Sequence, residues 1–221
     1  MIEPPVAAPG ASPSVGRASA DVGVSCQAGQ GIAQAGERSN LYRLVDGWAF
    51  GARMLEDGRR QIVSFLLPGD PVNATAVLGG DDGPPLYALT DIRLEASDNL
   101  DRAEALPAVL AQIARLGEQV VSLGRRSAYE RIAGFLLEIG ERLDAVSGMV
   151  GQRYQVPLRL EHLADHLGLS VVHVSRTMRQ LRENGLASLY RGELTLGDRA
   201  ALAQISEYGG SPLAPMVPDQ A

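Results

Sequence analysis

The chain has 221 residues, 45% of them hydrophobic, a formal net charge of −6 and a single cysteine. That length can bury one large or two small cores, and the lone cysteine excludes an internal disulfide and an iron–sulfur cluster held by four cysteines of one chain. No apolar run approaches the roughly 20 residues of a membrane-spanning helix and no signal-peptide pattern begins the sequence, so we expect a cytoplasmic protein that does not enter a membrane.

The first 100 residues divide into a tail and a predicted β domain. Residues 1–22 are rich in Pro, Ala, Ser and Gly, a composition typical of a flexible tail. Within 23–100, short apolar runs are separated by the hairpin signals Asp46-Gly47 and Asp57-Gly58. Several strands at this spacing predict a small β sandwich or barrel. The runs expected to be strands are Leu41–Val45, Trp48–Leu55, Gln61–Leu67 and Leu86–Leu94.

A long helix is predicted over 101–126. Its apolar residues are spaced 3, 4, 3, 4, 3, a heptad pattern that favours a two-stranded coiled coil over packing on a globular core. The alternative is an amphipathic helix lying on the β domain, because the pattern is shorter than the roughly three to four heptads usually required. The residues expected to form the dimer interface are Leu106, Val109, Ile113, Leu116, Val120 and Leu123.

The stretch from Leu160 to Arg179 has the pattern of a helix-turn-helix, preceded by a further helix over roughly 127–146 and a linker to Pro157. Gly168 gives the backbone freedom that a tight turn between two helices requires. Ser170 is a suitable N-cap for the second helix, 171–183. The apolar stripes of the two helices are Leu160, Leu163, Ala164 and Leu167, then Leu169, Val174, Met178 and Leu181. An ordinary helical hairpin inside a core is the alternative interpretation.

The outward part of the second helix would reach base edges in the major groove. Beyond it, Asn184-Gly185 ends the helix, and two strand-like runs flank Arg191-Gly192, which together predict a winged helix. Residues 170–191 carry four arginines against the single acid Glu183, a basic face on an acidic chain that is typical of a phosphate-binding surface. The expected DNA-binding residues are Ser170, Val171, Val172, His173, Ser175, Arg176 and Arg179.

Taken in order, these parts resemble the Crp–Fnr superfamily of bacterial transcription regulators. The resemblance covers residues 30 to about 207 and includes a β-roll ending in LLPGD, the segment LGRRSAYERIAGFLLEIGERL and the motif LADHLGLSVVHVSRTMRQLRENGL. That motif is similar to a branch whose recognition helix carries Val-His-Val-(Ser/Asn)-Arg, here Val172 to Arg176, whereas better-known branches have a glutamate in place of Val172. The resemblance implies that Arg176 reads a guanine with Ser175 beside it.

The resemblance also implies an α+β fold of three parts. A degenerate cyclic-nucleotide-binding-like β-roll would occupy 23–100, a dimerisation helix 101–126 and a winged helix-turn-helix 127–207, with a flexible tail over 208–221. RNA polymerase is a further partner that the resemblance implies.

The residues that hold cyclic AMP in that family are not found here. Members that bind it have a Gly-Glu pair soon after the PGD turn and an Arg-Ser or Arg-Thr pair before the next strand. The corresponding segments read PVNA at 71–74 and DGPP at 82–85, and Asp81-Asp82 would repel a phosphate. We therefore expect no cyclic nucleotide and no cofactor.

The oxygen-sensing branch requires several cysteines, and Cys26, without a flanking cation, is expected to be an unreactive thiol.

Other chemistry is weakly indicated. His162 and His166 stand four residues apart on a helix, but Leu163 replaces the glutamate of the zinc metalloprotease pattern, and structural zinc requires four ligands. We expect no metal and place both histidines on an exposed face near the DNA backbone. The sequence contains no nucleophile elbow, P-loop or dinucleotide fingerprint, so we do not expect an enzyme.

The favoured function is a sequence-specific transcription regulator that binds double-stranded DNA as a homodimer. Its helix 171–183 would lie in the major groove of a palindromic operator. The alternative is a DNA-independent regulator that uses the β-roll and the winged helix to bind another protein. Exposed Arg176 and Arg179 favour DNA, because a purely protein-binding surface would not need this basic cluster.

Overall fold

The computed structural model describes residues 23–32, 41–77, 83–96 and 102–208, with side chains described from 105 onward in the last range. The predicted tail over 1–22 and all but Tyr208 of the predicted tail over 208–221 lie outside these residues. The chain groups into two compact units. The first contains the described parts of Met1–Arg53 and Phe65–Leu106, and the second contains Met54–Ser64 and the described part of Pro107–Ala221.

The N-terminal half is built from short antiparallel strands. In chain order its elements are β1 (Val24–Cys26), β2 (Gly31–Ile32), β3 (Tyr42–Asp46), β4 (Ala49–Met54), β5 (Arg60–Leu66), β6 (Pro71–Val72), α1 (Ala74–Val77), β7 (Leu86–Ala88) and β8 (Ile92–Ala96). Among the described residues they form two four-stranded sheets, in the orders β1-β8-β3-β6 and β2-β7-β4-β5.

A buried apolar cluster, drawn from strands of both sheets, forms the core of this half. Burial alternates along β3 and β8, as the sequence predicts for a β domain, and the buried residues of these strands join others from β2, β4, β6 and β7. The cluster members are Ile32, Tyr42, Leu44, Ala49, Val72, Ala88, Ile92 and Leu94. The β-roll expected from the sequence is therefore confirmed.

The single strand predicted over Leu86–Leu94 is wrong, because the structure divides it into β7 and β8. Between them the chain turns against the β3–β4 hairpin. The backbone N–H groups of Leu89 and Thr90 donate to the Trp48 carbonyl at 2.8 and 3.3 Å, and the Trp48 N–H donates to Thr90 Oγ1 at 2.9 Å. These bonds replace the ladder that a continuous strand would make.

The C-terminal half is mainly helical. Its elements are α2 (Arg102–Arg125), α3 (Ala128–Ser147), β9 (Arg153–Gln155), α4 (Leu160–Leu167), α5 (Val171–Glu183), β10 (Ala187–Tyr190), β11 (Glu193–Leu196) and α6 (Arg199–Ser206). Helix α3 begins with a capping box, in which the Glu130 N–H donates to Ser127 Oγ at 3.4 Å and the Ser127 N–H donates to Glu130 Oε2 at 2.6 Å. It ends at Gly148, whose φ is 70°.

Helix α3 forms the centre of the winged helix. It buries Ile132, Phe135, Leu136 and Ile139, whereas Leu143 is half-buried. A Cβ added at Gly140 would overlap Leu196 Cδ1, so a larger residue here would force the buried Leu196 side chain of β11 to shift.

The linker predicted up to Pro157 is not wholly irregular, because β9 forms within it. This strand pairs antiparallel with β11, and the wing sheet has the order β10-β11-β9. Tyr154 fixes β9 to α3, since its phenol donates to Asp144 Oδ1 at 2.6 Å. The three-residue run Arg153-Tyr154-Gln155 has no apolar alternation by which the sequence could have predicted it.

Candidate nucleic-acid interface

Helices α4 and α5 form the predicted helix-turn-helix. Gly168 follows α4 with φ 64° and ψ 38°, the left-handed conformation that the turn requires. Leu163, Ala164 and Leu167 are buried on α4. Leu160, the fourth residue of the predicted stripe, is half-buried.

Ser170 caps α5 as the sequence predicts. Its hydroxyl accepts the backbone N–H of His173 at 3.2 Å, which satisfies one of the free amides of the first turn. The inner face of α5 buries Val174, Met178 and Leu181. The opposite face is therefore left to solvent.

All seven residues predicted to contact DNA are exposed in the single chain. Val172, Arg176 and Arg179 follow one another at helical spacing along the outward face of α5. Arg179 Nε lies 3.8 Å from Glu183 Oε1 with both side chains about two-thirds exposed, so this ion pair contributes little and leaves the guanidinium accessible. These three positions place one apolar and two basic side chains on the exposed face.

The wing adds a second basic element. Arg191 and Gly192 connect β10 to β11 with φ values of 50° and 79°, and two positive φ values are the signature of a type I′ hairpin turn. The Arg191 guanidinium carbon lies 5.3 Å from the centre of the Tyr190 ring, and that ring is exposed. Arg191 belongs to the basic face expected from the sequence, but neither it nor Tyr190 is among the predicted DNA-binding residues, although the sequence contains the turn signal.

The placement of His162 and His166 on an exposed face near the DNA backbone is wrong. His162 is half-buried and His166 is buried, with its ring packed 4.8 Å from that of Phe135. Desolvation by burial lowers the pKa of His166 to about 4 and also lowers the pKa of His162. A neutral, buried imidazole cannot neutralise a phosphate.

The predicted dimer face of α2 is largely open in the single chain. Leu106, Ile113, Leu116 and Val120 are exposed, Val120 to 70%. Val109 and Leu123 are half-buried. The heptad pattern missed two exposed apolar residues on the same side, Leu110 and Val121, so the apolar face is broader than the six predicted residues.

The β-roll has no basic side chain in the sequence segment where the resembling family holds a cyclic phosphate. Asp81 and Asp82 lie outside the described residues, and no basic residue or histidine stands between Arg60 and Arg93 in the sequence. Cys26 is half-buried, and burial raises the pKa of its thiol, in the direction expected of an unreactive cysteine. Within the described ranges, no helix has the length and apolar character needed to cross a bilayer.

Comparison with known proteins matches residues 130–205, from α3 through α6, to the Crp-like helix-turn-helix domain. The nitrogen fixation regulation protein FixK of Bradyrhizobium diazoefficiens is 32% identical over 179 residues, covering 76% of this chain and 74% of FixK. The fumarate and nitrate reduction regulatory protein of Escherichia coli K12 is 27% identical over 196 residues, covering 82% of this chain and 77% of that protein.

A solved structure gives the same result for the fold. FixK2 from Bradyrhizobium japonicum superposes with a TM-score of 0.68 at 27% identity, covering 85% of this chain and 98% of FixK2. The β-roll, the long helix and the winged helix-turn-helix thus occur together in the order that the sequence predicted. The chain belongs to the Crp–Fnr family of transcription regulators, which bind DNA through this helix-turn-helix.

Proposed function

We propose that two copies of the chain pair through α2 and read a palindromic operator with their two α5 helices. The observation that carries this proposal is the division of α5 into a capped, buried inner face and an outer face that presents Arg176 and Arg179. Two α5 helices related by a two-fold axis would address half-sites about 34–36 Å apart, one turn of B-form DNA.

The side chains of the outer face suit different parts of the duplex. Arg176 can donate two hydrogen bonds to the O6 and N7 atoms of a guanine, the commonest specific contact in the major groove. Val172 can contact the methyl group of a thymine, whereas a glutamate at this place would accept from a cytosine amine. We therefore assign this chain a half-site different from that of the branches with glutamate.

Contacts to the phosphate backbone of DNA would come from the basic side chains other than Arg176. Arg179 and the wing arginine Arg191 are exposed cations outside the centre of the reading face, which suits them to phosphates. Phosphate contacts fix the position of the protein on DNA and make its affinity depend on salt. Ser170 is committed to capping α5, so its hydroxyl contributes to binding mainly by holding the helix start.

Sequencing of the DNA fragments that the purified full-length chain retains from a random library tests the operator proposal. We expect enrichment of an inverted repeat whose half-site centres are about 10–10.5 base pairs apart. An enriched sequence without two-fold symmetry would contradict the paired arrangement. If the chain retains DNA at a fixed salt concentration but no sequence is enriched, the proposal that it reads a specific sequence is wrong.

We further propose that cyclic AMP and cyclic GMP are not the signal of the β-roll. A cyclic phosphate buried without a cationic partner loses its hydration with little compensation. Calorimetric titration with each nucleotide is expected to show no binding in the micromolar range and no change in operator affinity. Micromolar binding that alters operator affinity would contradict this assignment.

The remaining roles follow from DNA binding. RNA polymerase is the partner that we propose beyond DNA and the second copy, and the cytoplasm is where such a bacterial regulator would meet them. We propose no catalytic activity. The DNA-independent alternative is not favoured by the relatives, which are transcription regulators.

A further inference from the structure

The end of helix α4 lies four residues before the start of α5, and its carbonyl groups need partners. The last four carbonyls of any helix have no intrahelical donor, and a buried carbonyl left without one is costly. In α4 the first of them, the Ala164 carbonyl, accepts the backbone N–H of Leu169 at 3.1 Å from within the turn. The carbonyls of His166 and Leu167 require donors from elsewhere.

Side chains from three different elements supply those donors. Gln61 Nε2, from the Met54–Ser64 segment of the same unit, donates to the His166 carbonyl at 2.9 Å. Gln119 Nε2, from α2, donates to the same carbonyl at 3.3 Å. Arg131, from α3, donates to the Leu167 carbonyl at 3.1 Å. The turn of the reading motif is thus capped from outside the motif.

The side chains of α4 reinforce this arrangement. His166 Nδ1 lies 3.1 Å from the Ile62 carbonyl and 3.3 Å from Gln119 Nε2, so the ring is held between the Met54–Ser64 segment and α2. One residue earlier, Arg60 Nε donates to Asp165 Oδ2 at 2.7 Å, in an ion pair with both side chains about three-quarters shielded from solvent. The last turn of α4 is held through its backbone and its side chains.

We propose that Gln61, Gln119 and Arg131 are positioning residues for DNA reading, which set the orientation of α5 by holding the end of α4. The inference rests on the proposed function of α5. None of the three lies on the reading face, so they act through the turn and not through contact with DNA. When the caps are lost, the motif samples other orientations, and affinity falls with the fraction of chains in the competent one.

Gln119 also connects the turn to the dimer face. It precedes Val120, an exposed residue of the predicted dimer interface, on the same helix. One helical turn later, Leu123 lies beside the turn, since a Cβ added at Gly168 would be 3.6 Å from Leu123 Cδ2. The helix that would pair two protomers therefore holds the turn of each motif, which would fix the separation of the two α5 helices.

Gln119→Glu tests the proposal, with Gln112→Glu as its matched control. The substitution keeps the side-chain shape but replaces the amide donor with an oxygen that faces the carbonyls of His166 and Ile62, which lie 3.3 and 3.4 Å from Gln119 Nε2. Gln112 lies seven residues earlier on the same face of α2, and within the described residues it makes no hydrogen bond. Both variants add one negative charge at the same heptad position, but only Gln119→Glu removes a hydrogen bond to the end of α4.

We expect Gln119→Glu to bind the selected operator about tenfold more weakly than Gln112→Glu at the same salt concentration. Affinity for scrambled DNA and the dimeric mass by light scattering should match between the two variants. Without DNA, hydrogen exchange should be faster at the amides of 167–170 in Gln119→Glu. Gln61→Glu is expected to behave in the same way, and Gln119→Met, which removes the donor without adding charge, should show a smaller loss of about threefold.

Equal operator affinity of Gln119→Glu and Gln112→Glu would overturn the proposal, as would equal losses on operator and scrambled DNA. Unchanged exchange at 167–170 would also overturn it. If the wild-type chain itself selects no operator, the proposed function fails, and the exchange measurement alone then decides whether the caps hold the turn. General unfolding of Gln119→Glu would accelerate hydrogen exchange throughout the unit. In that event the operator affinity of Gln119→Met decides: a loss of about threefold supports the proposal, and wild-type affinity overturns it.

Discussion

Replacing both Ile113 and Leu116 by glutamate is expected to yield monomers that bind the operator about 100-fold more weakly or worse. Two recognition helices on one rigid dimer bind the second half-site at a high effective concentration, and this advantage is lost when the copies separate. Ile113 is 58% exposed and Leu116 37% exposed in the single chain, so charges at these positions should leave the fold intact. Light scattering gives the mass, and an operator titration gives the affinity.

Met149→Glu together with Val150→Glu is a suitable control for this double variant. These residues are apolar, highly exposed and in the same unit, but they lie after α3 and not on α2. The control adds the same two charges and should remain dimeric. A variant at Ile113 and Leu116 that stays dimeric at micromolar concentration would show that the helices do not pair through this face.

Arg176→Ala should weaken operator binding by about 1–3 kcal/mol while leaving affinity for scrambled DNA nearly unchanged. A guanidinium that donates two hydrogen bonds to one guanine discriminates against the other bases, whereas a phosphate contact acts equally on every sequence. Titrations on selected and scrambled DNA at one fixed salt concentration distinguish these cases. Changing the base pair that Arg176 contacts should weaken operator binding by the wild type as much as Arg176→Ala does.

Arg93→Ala gives the matched control for charge. It removes one positive charge from the β-roll, where Arg93 forms an exposed ion pair with Glu95. We expect its operator affinity to equal that of the wild type, since exposed pairs of this kind contribute little. Equal losses for Arg176→Ala on both DNA molecules would assign this arginine to phosphate and move sequence reading to other residues of α5.

The features predicted well from the sequence are those set by neighbours along the chain. Ser170 caps α5 because its own hydroxyl reaches the amide three residues later, and Gly168 forms the turn because only a residue without Cβ adopts that φ freely. The Arg191-Gly192 hairpin has the same local origin. Such short-range chemistry was enough to identify the reading motif.

His166 shows why the rest could not be predicted. Helical spacing pairs it with His162 on the first helix of the motif, and from that position alone we expect both histidines on an exposed face. The burial of His166 is decided by Ile62, 104 residues earlier, and by Phe135 on α3, neither of which the local pattern reveals. The caps at Gln61 and Gln119 are missed for the same reason, because a glutamine that donates to a distant helix end has no sequence signature.

The wing turn has a consequence for how this protein would respond to selection. Arg191 has a φ of 50°, a conformation that costs a residue with a Cβ about 1–2 kcal/mol and that glycine or asparagine would adopt more readily. Folding alone therefore disfavours arginine here, and the hairpin tolerates the strain while keeping a cation at its tip. Screening variants for heat resistance alone would replace Arg191 and discard the phosphate contact that we assign to it, so thermostability and DNA affinity trade against each other at this residue.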